Sequence, residues 1–190
     1  LNEDLRRTDP VKHTLLTLLL LMLLGLGGCA HPLPRYEPPM RRAAVQKVRT
    51  TAYTESESDH LRYGAHSALG TKLRYGGINS AAADWARWPC GTIFRIRSTG
   101  ELFQIDDYGF ALSGRNTIDL YKPSRRLMNE WGVRRVTIEI YHWGDPWESY
   151  QKMIRVRTYR HIKRMMKEIK SWFGHHRPPE PVCSAPAVRR

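Results

Sequence analysis

Apolar and polar positions alternate along the chain with three different periods. From Val48 to about Tyr141, apolar residues recur at every second position in short runs separated by glycines, the period of half-buried strands. Val48–Thr54 is rich in β-formers and predicts a first strand. Ile93–Arg97 and Leu102–Asp106, joined by Ser98-Thr99-Gly100, predict a hairpin, and Ile118–Tyr121 predicts a further strand. Val136, Ile138 and Ile140 on one face, with Arg135, Thr137, Glu139 and Tyr141 on the other, predict a closing strand. Pro123-Ser124 is expected to open a short helix through Glu130, stopped by Gly132. Six or so short strands, many glycine turns and one small helix point to a mainly β fold, a compact barrel or sandwich.

After Pro146 the period becomes helical. Trp147, Tyr150, Ile154, Tyr159 (or Thr158), Ile162, Met165, Met166, Ile169, Trp172 and Phe173 recur at intervals of three and four. They predict a basic amphipathic helix over 146–174, ended by Gly174, with a proline-rich disordered tail over 175–190. Three placements are open for that helix: packed on the barrel, laid on an anionic membrane or cell-wall surface, or in contact with a partner protein or nucleic acid.

The third period lies at the start of the chain. Leu15–Leu24 is apolar except for Thr17, too short to span a bilayer comfortably, and Arg6, Arg7 and Lys12 precede it, as in a secretory signal over 1–28. The run ends in Leu26-Gly27-Gly28-Cys29-Ala30, which resembles the lipobox of bacterial lipoproteins. That resemblance implies diacylation of Cys29 after cleavage before it, anchorage by acyl chains, and, from Ala30, the outer membrane rather than the inner. An ordinary signal peptide with an incidental Cys29, or a buried helix, are the alternatives. Residues 29–47, with four Pro between His31 and Pro39, read as an extended tether outside the core. Its basic continuation, Arg41, Arg42, Lys47 and Arg49, suits either an anionic lipid surface or solvent.

Charge changes the picture through its location. The formal net charge is +13, but residues 51–146 carry only +1, while 30–50 carry +4 and 147–190 carry +8. A nearly neutral domain with basic flanks argues against nucleic acid as the domain's own ligand. The chain is long enough for one domain with appendages, and six Trp and nine Tyr supply area for a core.

The candidate chemistry lies between Gln104 and Tyr121. An apolar run ends in Asp106 and Asp107, a turn containing Gly109 and Gly114 follows, and a second apolar run carries Asp119. If Ile118 and Leu120 face a core, Asp119 points the other way, with Thr117 and Tyr121 beside it. A solvated residue on an exposed strand face is the plain reading of Asp119 alone, and Asp106 reads as an exposed neighbour of Asp107. Four motifs then occur in order: Thr51-Ala-Tyr-Thr54, Asn79–Asp84 with Trp88-Pro-Cys-Gly-Thr92, Asp107–Gly114 running to Ile118-Asp119, and Trp131-Gly132 before Val136–Ile140. Together they resemble the three-aspartate (3D) domain over residues 48–142.

The resemblance implies a six-stranded double-psi β-barrel over 48–145, the barrel that carries the active site in the membrane-bound lytic transglycosylase A family. It further implies peptidoglycan glycan strands as partner, Asp119 as general acid/base and Asp84 and Asp107 as supporting carboxylates. Tyr53, Tyr108, Phe110 and Tyr121 are the aromatic candidates for contact with sugar faces or for desolvating the carboxylates. Phe110 stands where the usual motif has a second Gly, Ser113 where Lys is common, and Glu55–Gly77 holds only a short loop where the larger enzymes insert a second domain. A non-catalytic peptidoglycan-binding or scaffolding lipoprotein is the alternative function.

Glycosidic cleavage needs a proton for the leaving oxygen and a trap for the oxocarbenium-like centre. A lytic transglycosylase traps it with the sugar's own C6 hydroxyl, so one carboxyl serves first as acid and then as base. That carboxyl must be protonated near neutrality, through burial or adjacent negative charge. The eight His show no metal-ligand spacing, and no phosphate-binding glycine loop or serine nucleophile motif occurs, so neither metal nor cofactor is expected. A Cys90–Cys183 disulfide is permitted in an oxidising compartment, but a buried apolar Cys90 is the simpler expectation.

Overall fold

The structure is a computed structural model that describes residues 31–57 and 64–174. The expected signal segment, Cys29, Cys183 and the tail over 175–190 lie outside the described residues. Six strands form: β1 (Val45–Tyr53), β2 (Ile78–Ala83), β3 (Ile93–Ile96), β4 (Leu102–Asp107), β5 (Thr117–Tyr121) and β6 (Arg134–His142). They close into a barrel in the order β1-β5-β2-β4-β3-β6. The sheet is mixed: β1 runs parallel to β5 and β2 parallel to β4, whereas β1/β6, β2/β5, β3/β4 and β3/β6 are antiparallel. The expected hairpin is β3–β4, with Phe94 opposite Phe103 and their rings stacked at 5.6 Å.

Inward positions follow the period-2 reading. Val48, Ala81, Ala83, Phe94, Ile96, Phe103, Ile105, Ile118, Leu120, Val136 and Ile138 share one core. β2 is the strand the alternation does not announce. Its sequence, Ile-Asn-Ser-Ala-Ala-Ala, is poor in β-formers. It is held by parallel pairing to β4 on one side and antiparallel pairing to β5 on the other, a tertiary constraint that overrides propensity.

Three helices, α1 (Arg125–Trp131), α2 (Pro146–Met153) and α3 (Arg160–Phe173), complete the fold. α1 is bounded as its sequence predicts: the Ser124 hydroxyl accepts from the Leu127 amide, and Gly132 ends the helix at a φ of 59°. The single helix expected over 146–174 is instead two. A 3-10 turn at Ile154–Val156 follows α2, and Tyr159 is extended before α3 begins. Ile154, Val156 and Thr158 are β-branched and weaken the helix there. The same spot shows in the sequence as the slip of apolar phase at Thr158/Tyr159.

α3 is fixed to the barrel. Ile162, Met165 and Ile169 are fully buried in the barrel's core cluster, and the Trp85 amide meets the Met165 sulfur at 3.4 Å. α2 is docked through Ser149, whose hydroxyl accepts from the Cys90 amide at 2.9 Å and donates to the Asp145 carbonyl. Asp145 caps α2 by accepting from the amides of Trp147 and Glu148. Cys90 is a buried free cysteine, its thiol pushed up to about 12, chiefly by burial. No helix among the described residues is long and apolar enough to cross a membrane.

The stretch read as a free tether is in part bound to the barrel. The Glu37 amide donates to the Gly114 carbonyl at 2.8 Å, and the Asn116 amide donates to the Glu37 carboxylate at 2.8 Å. Arg87 donates to the Glu37 carbonyl, and Arg164 of α3 donates to the Pro34 carbonyl at 2.9 Å. Proline removes backbone donors, so this segment is held by its carbonyls and by Glu37. Arg42 is exposed, and its guanidinium lies 4.8 Å from the Trp143 ring and 4.7 Å from that of Phe173. β1 itself begins within the expected tether, at Val45.

Gly144, in the link from β6 to α2, lies close against the Pro89–Cys90 backbone. A Cβ there would lie 2.0 Å from the Cys90 carbonyl oxygen and 2.8 Å from the Pro89 carbonyl oxygen. Both are backbone atoms, so relief requires the two segments to separate. Gly144→Ala is expected to destabilise the protein by about 3 kcal/mol, the upper end of overpacking costs. Gly174→Ala, in a right-handed helical conformation with nothing within 4 Å of the new Cβ, should change stability little. Denaturant midpoints at constant m-value check both.

Candidate functional site

Pairing registers decide which residues share the outer face of the barrel. Residues directly opposite one another across paired strands project to the same side. Asp119 is opposite Thr51 of β1 and Ala82 of β2, and Ala82 is opposite Asp107 of β4. Tyr53 is opposite Tyr121. With Ile118 and Leu120 fully buried inside, this outer set contains Thr51, Tyr53, Ala82, Asp107, Asp119 and Tyr121. Tyr53, Ala82, Leu112 and Tyr121 form a second, smaller apolar cluster there, distinct from the barrel core.

The register slips between Ala81 and Ala82, so that Ala81 faces Ile105 and Ala82 faces Asp107, with Asp106 as the extra residue. A bulge of this kind interrupts alternation. It corrects the reading of Asp106 as an exposed neighbour. Asp106 is 2 % exposed and accepts from the Ser80 hydroxyl at 2.7 Å and from Arg74 at 3.0 Å. Burial pushes its carboxyl above the ordinary carboxylate range, although the Ser80 and Arg74 contacts work against that.

The carboxylates gather around one phenol. Tyr53 donates to Asp107 at 3.2 Å, and Asp107 also accepts from the amides of Ala68 and Tyr108, each at 2.9 Å. The Tyr53 hydroxyl is pushed well above its ordinary range, first by burial and then by the charges of Asp107 and Asp106, the hydrogen bond to Asp107 and the charge of Asp119. Tyr53 therefore holds its proton more tightly than a free phenol and sits in a negative field. Asp119 accepts from the Thr51 hydroxyl at 2.6 Å, which ties it to β1. Glu55 joins the same side by accepting from Tyr121 at 2.7 Å, which with burial raises the Tyr121 hydroxyl. Of the three aspartates around Tyr53, Asp106 and Asp107 are buried and Asp119 is only half-buried.

Asp84 occupies a different setting. It is fully buried, accepts from the Ala86 amide at 2.8 Å and the Gly114 amide at 2.5 Å, and so ties the exit of β2 to the β4–β5 connection. Arg87 lies 3.9 Å from Asp84 and 3.7 Å from Glu168 of α3. Gly114 has a φ of 74°, which favours glycine, and a Cβ there would fall 2.6 Å from the end of the Arg164 side chain, which would have to shift. Asp84 thus positions the loop that leads into β5 rather than presenting a carboxylate to a ligand.

Of the expected aromatics, Tyr53 and Tyr121 line the carboxylate face with ring centroids 5.7 Å apart. Tyr108 turns toward Trp85, edge to face at 4.9 Å, and Phe110 toward His161 of α3 at 5.6 Å. Asp106 and Glu55 were not singled out by sequence; the doubled Asp at a strand end was the available signal for the former. Among the described residues no group of three or more His, Cys, Asp or Glu is arranged to hold a metal ion. A concavity of about 590 Å³ lies elsewhere, between α2 and α3.

Comparison with known protein families and with curated proteins finds no match to this chain.

The Asp84–Arg87–Glu168 group predicts a pH dependence. Both acids hold their protons more tightly than free carboxyls: Glu168 is raised to about 7, by burial first and then by Asp84, and Asp84 is raised by burial. Arg87 and Arg164 oppose both shifts. A raised folded pKa gives stability that is fully present below the unfolded value, ordinarily 4.5 for Glu168, and is lost as pH rises toward about 7. Glu168→Gln should flatten that decline, on the order of 1–3 kcal/mol allowing for partial solvent screening. Denaturation curves at a series of pH values for the two proteins measure it.

Proposed function

We propose that this protein is a lipid-anchored component of the bacterial cell envelope whose barrel acts on peptidoglycan, cleaving glycan strands as a lytic transglycosylase through Asp119. The observation that carries the proposal is the half-buried Asp119, fixed by Thr51 on the same outer face as Asp107 and Tyr53. The two parallel strand pairs, β1/β5 and β2/β4, joined by the antiparallel β2/β5 contact, support a double-psi topology of the 3D-domain type. Anchorage rests on the lipobox-like Leu26-Gly27-Gly28-Cys29 and favours the periplasmic side of the outer membrane.

In the proposed reaction Asp119 gives its proton to the glycosidic oxygen as the C1–O bond breaks. The C6 hydroxyl of the same sugar then attacks C1, and Asp119 takes the hydroxyl proton as the 1,6-anhydro ring closes. No water is consumed, and the carboxyl returns to its starting form. Asp106 and Asp107 supply nearby negative charge, the effect that favours a protonated carboxyl. Tyr53 keeps Asp107 in place, and Asp84 sets the approach to β5.

Incubating the protein with peptidoglycan and identifying products by mass spectrometry should show anhydro-sugar ends. Asp119→Asn should lower their yield by roughly 100-fold or more, the usual worth of a general acid/base. Equal yields from the two proteins would end the catalytic assignment. A second reading is a barrel that binds peptidoglycan without cutting it. Co-sedimentation with insoluble peptidoglycan, unaffected by Asp119→Asn and yielding no anhydro product, would select it.

A further inference from the structure

We propose that the concavity between α2 and α3 is a binding site for phosphoryl groups, taking a ligand with at least two closely spaced phosphate charges. The cavity, about 590 Å³, is lined by Arg157, Lys163, Lys167 and Lys170, with Tyr150 and Met166, and no acidic residue contributes to its wall. Lys163, Lys167 and Lys170 fall at i, i+4 and i+7 of α3, one row on one face of the helix. Like charges at this spacing oppose helix formation unless something neutralises them. Within the described residues none of the four cations has a carboxylate within 4.0 Å, whereas Arg74, Arg95, Arg97, Lys122 and Lys152 each do. Glu168, the acidic residue of α3, is turned to the other side, buried beside Arg87.

The row is also pre-set. Ile162, Met165 and Ile169 are locked in the barrel core, so α3 cannot rotate to scatter its lysines. The 3-10 turn after α2 ends at Arg157, which lines the concavity, and Tyr150 of α2 lines it too, its ring 5.2 Å from the Lys170 ammonium. Met166, 8 % exposed, forms an apolar patch among the cations. Four cations around one concavity, three of them in a row on a helix that is itself anchored, suit a compact polyanion better than an isolated surface lysine does, because less of the site must be ordered on binding. Lysines serve phosphate as point charges, and the one arginine adds a fork for two oxygens. The ligand chemistry is common to a soluble diphosphate and to a phospholipid headgroup, and the site is independent of the proposed activity at Asp119.

The test uses the full chain titrated with inorganic pyrophosphate and followed by amide NMR. Saturable shifts centred on Tyr150, Arg157 and the Lys163–Lys170 turn pair are expected. Lys163→Ala combined with Lys167→Ala should weaken binding at least tenfold, while Arg125→Ala combined with Arg126→Ala, removing the same charge from α1, should leave it unchanged. Equal weakening in both double variants, or no saturable shift at millimolar pyrophosphate, would overturn the proposal. Sedimentation with vesicles containing cardiolipin, whose headgroup carries two phosphates, separates the sources. Vesicle binding displaced by pyrophosphate identifies a lipid headgroup, and pyrophosphate binding without vesicle binding identifies a soluble phosphate ligand. Vesicle binding that pyrophosphate leaves intact would assign the charge row to diffuse surface attraction and contradict a built site.

Discussion

Closing six short strands on themselves leaves one interior, and every strand must commit one row of side chains to it. On β1, β5, β2 and β4 that row is Val48, Ile118, Leu120, Ala81, Ala83, Phe103 and Ile105. The opposite row is then fixed without further choice, since a one-residue slip would put carboxylates into the core. Thr51, Tyr53, Ala82, Asp107, Asp119 and Tyr121 share the outer face because the inner row is apolar, and β2 between β4 and β5 places its small Ala82 between the two aspartates. The bulge at Asp106 interrupts the β2–β4 register and buries a second carboxylate beside Asp107, its cost partly offset by Ser80 and Arg74.

Segments outside the sheet are attached by arginines rather than by strand pairing. Arg87, 6 % exposed, reaches Glu37, Asn116 and Glu168, and so joins the N-terminal strap, the β4–β5 connection and α3. Arg164 holds the carbonyls of Pro34 and Ser113. A planar guanidinium with several donors in fixed directions can link three backbone segments at once, which a lysine cannot do. The loop that carries the chain into β5 is therefore tied to both ends of the described chain, and the position of Asp119 depends on those ties.

Much of this was legible in the residues. The alternation at 117–121 and 136–140, the β3–β4 hairpin and the Ser124 and Gly132 boundaries of α1 depend on local pattern and capping, and the structure has them. β2 was hidden because three alanines carry no β signal, and its strand form comes from its two neighbours. Asp106 was misread because a bulge breaks the period that placed it outside. The strap at 33–38 was read as free because its partners, Arg87, Asn116 and Arg164, lie far away in the sequence and proline-rich composition speaks only of local stiffness. Glu55 belongs to the carboxylate face through one long-range bond to Tyr121, for which the sequence holds no local cue.

The convergence of Asp106, Asp107 and Asp119 on Tyr53 is the physical basis for reading this face as a site, and Tyr53 itself reports it. Titrating protein labelled with 13C at the tyrosine ζ carbon, and assigned with Tyr53→Phe, follows the ionisation of that phenol alone. A hydroxyl buried among these carboxylates should stay protonated well above pH 10, its ordinary value, and Asp119→Asn should bring its ionisation down. Ionisation near 10 in both proteins would mean that the three carboxylates do not share one environment, and the face would lose its claim to chemistry.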